Sequence, residues 1–392
     1  MAEQTVRLAL SAAAVKVETI AGVDAFGGSV PALADYVLAN ATIELPMQTI
    51  DDDSRSGSFD DNAPIPTGFK PTINLVFRLR GSGTPGVAPE WGRLLTATRF
   101  EEVLQAAAVG APTAVTAGGT RTATLAAPFQ DVAQAYRGMP IILSGNPATP
   151  RVSLVQDYKT GRLATFPEVF AQQLTTATLA QIPPNAMYRL TDDPALIRPV
   201  TIYAYRGGLL YKLLGCIGSV SWELTAGQPA TMTFALRGQL GADPIAALPA
   251  NEWSSITRPQ APIWAKGLSR LGGELARCAR YTWNANTRMY EGENPEAPEG
   301  FDAPEITGAA PRIDIDPFST TTATPIRFAA LRTGASISYA AVMGTVPGNR
   351  IGFLHPSNRM SSVGLGERGE KGVDQLQLTP DQPGQGTFIT NF

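Results

Sequence analysis

In the stretch Ile73-Asn74-Leu75-Val76-Phe77-Arg78-Leu79-Arg80, apolar Ile, Leu, Phe and Leu take alternate positions with Asn, Val, Arg and Arg between them. Successive side chains of an extended strand point to opposite faces, so a period of two marks a strand with one buried side. The same pattern recurs. In Thr42-Ile43-Glu44-Leu45-Pro46-Met47 the odd positions are apolar. Val220, Trp222 and Leu224 alternate with Ser219, Ser221 and Glu223; Ala226-Gly227-Gln228-Pro229 then turns into Met232, Phe234 and Leu236, which alternate with Thr231, Thr233 and Arg237. An antiparallel meander closed by a hairpin is predicted. The chain's 38 Gly and 32 Pro in 392 residues exceed ordinary usage of about 7% and 5%, an excess that turns between short strands account for. With 44% apolar residues, the pattern predicts a folded, mainly β protein.

The rest of the chain divides by composition. An acidic, Gly/Pro-punctuated loop, DDDSRSGSFDDNAPIPTG, separates the first two alternating stretches; a loop this long in a compact domain is usually functional or ordered by a partner. Pro89 and Glu90 suit a helix start, and Trp91, Leu94, Leu95, Thr98, Val103 and Leu104 follow at roughly helical spacing, which predicts a helix ending near Gly110. Residues 111–192 read as short strands at 120–126, 139–143, 152–158, 162–167 and 187–190, a small β-barrel-like insertion. Strands are expected at Val200–Arg206 and 211–214, and a Pro-rich linker before residue 263. The C-terminal part predicts strands at 271–283 and 312–316 around a second acidic loop, EGENPEAPEGFDAPE. A helix at 325–332 follows, closed by Gly334 as the residue after its cap, then strands at 336–343, 350–354, 374–378 and 387–392. This order parallels residues 70–238 without the insertion, and 225–234 (TAGQPATMTF) resembles 379–388 (TPDQPGQGTF). An internal duplication is expected. The domains would be 1–110 with 193–245, the insertion 111–192, a linker 246–262, and a second unit 263–392.

Several function classes are disfavoured. With 31 Lys plus Arg against 34 Asp plus Glu, the chain lacks the positive excess that grips nucleic acid through its phosphates. Cys216 and Cys278 alone make neither a zinc site nor a disulfide framework, and read as reduced, buried thiols. The N-terminus lacks a basic region ahead of its apolar stretch and carries Glu3, unlike a signal peptide. No apolar run approaches the 18 or so residues of a membrane helix, so a soluble, cytoplasmic chain is expected. Gly81-Ser82-Gly83-Thr84-Pro85-Gly86 matches the dinucleotide pattern G-x-G-x-x-G. Its preceding strand alternates, unlike a parallel-sheet strand, and the expected helix begins three residues past the last Gly, so its N–H groups miss the loop. The second match, 364–369, lies between strands. Asp51, Asp52, Asp53, Asp60 and Asp61 do not follow calcium-loop spacing, which favours a solvated acidic loop or one that pairs with a basic partner over a looser cation site. His355, the only histidine, reads as a strand-end or loop residue, and no nucleophile elbow accompanies it. No catalytic residue, cofactor or metal site is expected.

The order of these segments resembles the major tail (tube) proteins of long-tailed bacteriophages. The resemblance rests on Ala14-Val15-Lys16-Val17-Glu18-Thr19 and on Leu79-Arg80-Gly81-Ser82-Gly83 leading to Pro89-Glu90-Trp91-Gly92-Arg93-Leu94-Leu95. It rests also on Val200-Thr201-Ile202-Tyr203 with Tyr205-Arg206-Gly207-Gly208, and on Gly218-Ser219-Val220-Ser221-Trp222 with Ala226-Gly227-Gln228-Pro229. Toward the C-terminus, Gly348-Asn349-Arg350-Ile351 and Glu367-Arg368-Gly369-Glu370-Lys371-Gly372 are similar to the second half of longer members. The insertion, with Tyr136-Arg137-Gly138-Met139-Pro140-Ile141, resembles small β modules found in many phage virion proteins.

The resemblance implies two β-sandwich tube domains, each with a short flanking helix, whose strands join those of neighbours into a closed inner barrel. It implies a structural virion protein, assembled in the host cytoplasm and stacked as rings into a tail tube through which DNA passes without specific binding. Two tube domains per chain imply a trimeric ring of pseudo-sixfold symmetry, with a hexamer as the alternative. The tape-measure, terminator and distal tail proteins would be its partners. The lumen should be neutral or acidic. Glu44, Ser221, Glu223 and Thr233 are the expected lumen residues, with Arg78 on a polar face too; the loop 51–66, with Asp51, Asp52, Asp53, Asp60 and Asp61, is the expected inter-ring contact. A ring-forming baseplate or tail-completion protein that does not polymerise is the alternative, and a nucleotide-binding enzyme using residues 81–86 a further one.

Overall fold

The computed structural model describes residues 11–392 except 56, 58, 59, 61, 146–150, 248, 250–255, 257, 298 and 383–385. In chain order the first elements are β1 (Ala12–Val17), β2 (Tyr36–Val37), β3 (Ala39–Glu44), β4 (Met47–Ile50), β5 (Ile65–Phe69), β6 (Thr72–Arg78), α1 (Gly92–Thr96) and β7 (Phe100–Gln105). Short strands follow: β8 (Val109–Ala114), β9 (Ala117–Gly118), β10 (Thr122–Thr124), β11 (Pro140–Ser144), β12 (Arg151–Leu154), β13 (Asp157–Lys159), β14 (Leu163–Thr165) and β15 (Leu179–Ile182). Next come β16 (Asn185–Leu190), β17 (Val200–Arg206), β18 (Leu209–Thr225) and β19 (Thr231–Ala246). The C-terminal part holds β20 (Leu268–Leu271), β21 (Glu274–Leu275), β22 (Cys278–Asn284), β23 (Thr287–Tyr290), β24 (Glu305–Ala309) and β25 (Arg312–Pro317). It ends with α2 (Ala323–Thr333), β26 (Ile337–Met343), β27 (Ile351–Arg368), β28 (Lys371–Pro380) and β29 (Phe388–Asn391). The protein is mainly β, as the alternation predicts. Among the described residues no helix is long and apolar enough to cross a membrane.

Eight strands lie side by side, all antiparallel, in the order β3-β6-β19-β18-β22-β25-β28-β27. Two of them bend from this layer into a second. The first half of β18 pairs with β17, and β17 with β1; the first half of β27 pairs with β26, and β26 with β20. One series of pairings is thus made twice. β3–β6, β6–β19, β19–β18, β18–β17 and β17–β1 in the first half correspond to β22–β25, β25–β28, β28–β27, β27–β26 and β26–β20 in the second. Each half also sends a two-stranded ribbon out between its first two strands, β4–β5 and β23–β24. The halves share one core. Trp222 of β18 stacks on Trp283 of β22 with ring centroids 4.0 Å apart and planes 13° from parallel, inside an apolar cluster that also holds Phe77, Trp91, Phe234, Tyr281 and Phe353.

Three expectations change. The helix expected from Pro89 to near Gly110 is only five residues long: α1 ends at Thr96, Arg99 takes φ 70°, and Phe100–Gln105 is a strand paired with β16 along six residues. The ladder is reinforced by Arg189 donating to Glu101 at 2.7 Å and Tyr188 to Glu102 at 2.6 Å, contacts that local spacing cannot anticipate. Gly110, expected as the helix terminus, lies in β8. The similarity between 225–234 and 379–388 joins places that are not equivalent: the first is the β18–β19 turn, while the second runs from the end of β28 into β29. By contrast α2 ends as predicted, with Gly334 at φ 67° as its left-handed cap.

The insertion consists of two four-stranded sheets, β13-β14-β10-β9 and β12-β11-β15-β8, over a cluster that includes Leu125, Phe129, Tyr136, Ile141, Tyr158 and Phe166. Among the described residues they do not close into a barrel; their strands are two to six residues long and the two sheets share no ladder. Residues 187–190, read with the insertion, belong to β16, which pairs with β7 and β29 of the large sheet. The module's core runs on into Leu268, Val342, Leu354 and Phe388 of the second half. Where the two meet, the buried Glu168 carboxylate pairs with Arg151 at 2.6 Å and Arg270 at 3.6 Å, and burial nonetheless pushes its pKa up.

Candidate assembly surface

Alternation puts every second residue of the eight-stranded layer on one solvent-facing side. Register unites Glu44, Thr72 and Arg237 in one cross-strand row, Val76, Thr233, Ser221 and Asn284 in a second, and Arg78, Thr231, Glu223, Thr282 and Asp314 in a third. Glu44, Ser221, Glu223 and Thr233 therefore do share a face, and Arg78 stands on it with them. The face is charge-compensated rather than acidic. Glu223 pairs with Arg280 at 2.8 Å, Asp314 with Arg312 at 2.8 Å and Asp316 with Arg368 at 2.7 Å. Sequence reading missed these second-half residues, although the alternation Arg312, Asp314, Asp316 against Ile313 and Ile315 carried the signal.

The two ribbons flank this face. Asp51, Asp52, Asp53 and Asp60 lie between β4 and β5, where Asp51, Asp53 and Asp60 are exposed; Asp61 lies outside the described residues. Hydrogen bonds from the Ser54 hydroxyl and N–H hold the Asp52 carboxyl below its ordinary pKa. The ribbon's base is fixed to the second acidic loop: Phe69 N–H donates to Glu299 at 2.8 Å, and Lys70 pairs with Glu291 at 3.1 Å while lying 3.8 Å from the centre of the Phe301 ring. Among the described residues no three His, Cys, Asp or Glu side chains gather as a metal site would require.

Two edges end the layer. Among the described residues no strand pairs with the outer side of β3, or with the outer side of β27 beyond Asn358. Leu365 on β27 is 75% exposed, and Ala39, Ala41 and Ile43 on β3 are only half-buried. Bare, partly apolar edges are templates for strand addition unless a protein blunts them with charge or proline; residues 360–366, MSSVGLG, carry neither.

The remaining candidates have structural explanations. Gly81 N–H donates to Asn349 Oδ1 at 2.7 Å and Gly83 N–H to Gly348 O at 3.0 Å, so the amides that a pyrophosphate would use are taken by the 348–350 turn. A Cβ on Gly81 would stand 2.0 Å from Gly348 O, a backbone atom that cannot swing away. Gly81→Ala should therefore cost about 1–3 kcal/mol, read as a lower urea midpoint.

His355 is not a strand-end or loop residue but lies inside β27, fully buried. Trp222 Nε1 donates to Tyr281 Oη at 2.8 Å, so the tyrosine hydroxyl donates onward to His355 Nε2 at 2.6 Å, and Nδ1–H faces Thr387 Oγ1 at 3.2 Å. Burial pushes the imidazole pKa down to about 3. On β28, Asp374 is buried against Arg327, Ser319 and Thr324; burial alone would raise its pKa, but these donors outweigh burial and lower it. Cys216 is a buried free thiol, and Cys278 is free and half-buried. Burial raises the pKa of both, which leaves them protonated and unreactive.

Compared with protein-family models and with curated protein sequences, the chain matches none.

Proposed function

We propose that this protein is the structural subunit of a phage tail tube, built by internal duplication and assembling as rings that stack around a DNA-conducting channel. The observation that carries this reading is the eight-stranded layer: two equal series of pairings joined in one sheet, one polar face, and a bare edge at each end. A sheet of this kind completes its hydrogen bonding by closing with copies of itself, which removes the exposed edges altogether. Two repeats per chain suit a ring of three copies with pseudo-sixfold symmetry. The paired charges of the polar face support a wall that passes DNA without holding it, since the guanidinium groups of Arg280, Arg312 and Arg368 already face carboxylates and release few counterions on meeting a phosphate. The acidic loop 51–66 is the segment we assign to contact with the next ring; the insertion would lie to one side.

Negative-stain electron microscopy of the purified protein tests the proposal. Stacked rings around a channel are expected. Single rings that never stack would favour a baseplate or tail-completion role, and a monomer whose melting rises with added nucleotide would replace the structural reading by an enzyme or nucleotide-binding one.

A further inference from the structure

We propose that the β27 edge of one copy pairs antiparallel with the β3 edge of the next copy, in the register that β18 and β22 already use within the chain. The inference rests on the ring reading for the presence of a side-by-side neighbour, and adds the edges, direction and register by which copies join.

The chain contains its own template. β18 and β27 are counterparts, since each is the middle strand of its half's meander; β3 and β22 are counterparts, since each pairs antiparallel with the strand that precedes a helix. The β18–β22 ladder is therefore a junction between two repeats, and β27 and β3 are the halves of that junction left without partners. Register follows from shared rows. Leu75, Phe234 and Val220 face one another in the first half, as Ile315, Leu376 and Val363 do in the second. Val363 thus corresponds to Val220, and Leu365 to Trp222. On the other strand, Ile43 lies opposite Ile73 and Trp283 opposite Ile313, so Ile43 corresponds to Trp283. Within the chain Trp222 lies opposite Trp283 and Ser221 opposite Asn284. Between copies Leu365 then meets Ile43, and Gly364 meets Glu44.

Burial agrees independently. Trp222 and Trp283 are 2% and 1% exposed, whereas Leu365 is 75% exposed and Ile43 half-buried, as expected of the same seam lacking its second strand. The proposed register brings these two apolar side chains together, sets Glu367 opposite Ala41 and Arg368 opposite Asn40, and opposes no like charges. A slip of one residue would instead set Leu365 against Thr42 or Glu44, side chains of the neighbour's exposed polar face.

Cysteine pairing tests this on the full-length chain. Directly opposed residues of an antiparallel pair have Cα atoms about 4.5–5.5 Å apart, within disulfide reach, while diagonal neighbours lie at about 7–8 Å. Gly364→Cys with Glu44→Cys should yield, on mild oxidation and non-reducing electrophoresis, a covalent ladder that ends at the copy number of the ring. Each single variant and the diagonal pair Gly364→Cys with Thr42→Cys should stay largely monomeric. An intrachain bridge is ruled out by distance: the two sites lie on the end strands of eight, about 34 Å apart along the sheet at roughly 4.8 Å per step. As a second measurement, Leu365→Asn, which puts no charge opposite Asp374, should keep the unfolding midpoint of the single chain, because the side chain is exposed there, yet lose the rings in sedimentation. Rings with an unlinked Gly364/Glu44 pair, or rings that survive Leu365→Asn, would overturn the proposed junction while leaving the ring reading intact. A wild-type protein that never associates would overturn both.

Discussion

Trp283→Ala is expected to lower the stability of the single chain by about 3–5 kcal/mol, the range for truncating a large buried aromatic side chain. Trp283 is 1% exposed. One face stacks on Trp222, and Phe100 meets it edge-on with centroids 5.9 Å apart. The cavity left by alanine would open where the two halves share their core, between β18 and β22, so neither half could relax around it alone. Such aromatic pairs add about 0.5–1.5 kcal/mol beyond the area they bury. Among the described residues the indole N–H of Trp283 has no hydrogen-bond partner. Trp283→Phe should therefore cost clearly less than alanine, because it keeps a ring in place and removes an unsatisfied donor. Urea unfolding at constant m reads both variants. An alanine variant within 1 kcal/mol of wild type would mean that the seam does not hold the halves together.

Acid should weaken the fold through His355. In the folded chain its imidazole stays neutral down to pH of about 3, whereas in the unfolded chain it protonates near 6.5. Below about pH 6.5 the unfolded state thus binds one proton more than the native state. Stability then falls as pH drops, by up to about 1.4 kcal/mol per pH unit, until the folded ring itself protonates near pH 3. Above pH 7 the two states bind equally and the contribution is flat. Protonation would also break the Tyr281-to-Nε2 hydrogen bond, since imidazolium accepts none. His355→Gln supplies an uncharged acceptor and donor in the same place. The difference in unfolding free energy between wild type and His355→Gln should slope with pH between about 6 and 4 and level off above 7. Asp374 and the other carboxylates are common to both chains and cancel. Parallel curves would show that His355 does not titrate differently on folding.

How much of this was legible beforehand depends on the range of the forces involved. The alternation in 73–80, 219–224 and 231–237 identified strands and their buried faces, because that periodicity is a property of the local backbone. For the same reason Val200–Arg206 and the Gly334 cap were placed correctly. Length was less legible. The segments 211–214 and 219–224 are parts of a single 17-residue β18, and the strand expected at 350–354 is the start of an 18-residue β27; both run through bends where hydrogen-bond partners change. His355 was misread because the Pro after it suggested a strand end, whereas β27 continues through that position.

The sequence by itself determined which residues face the core, where the chain turns, that strands would dominate, and that α2 would end at Gly334. All of these follow from contacts within a few residues. Tertiary structure alone decided that Phe100–Gln105 is a strand, that Trp222 meets Trp283, and that among the described residues the outer edges of β3 and of the second half of β27 carry no strand. Alternation names a strand's buried face but not its neighbour. Neighbours are chosen by side-chain fit between segments tens to hundreds of residues apart, as when Glu101 finds Arg189 or Tyr281 finds His355.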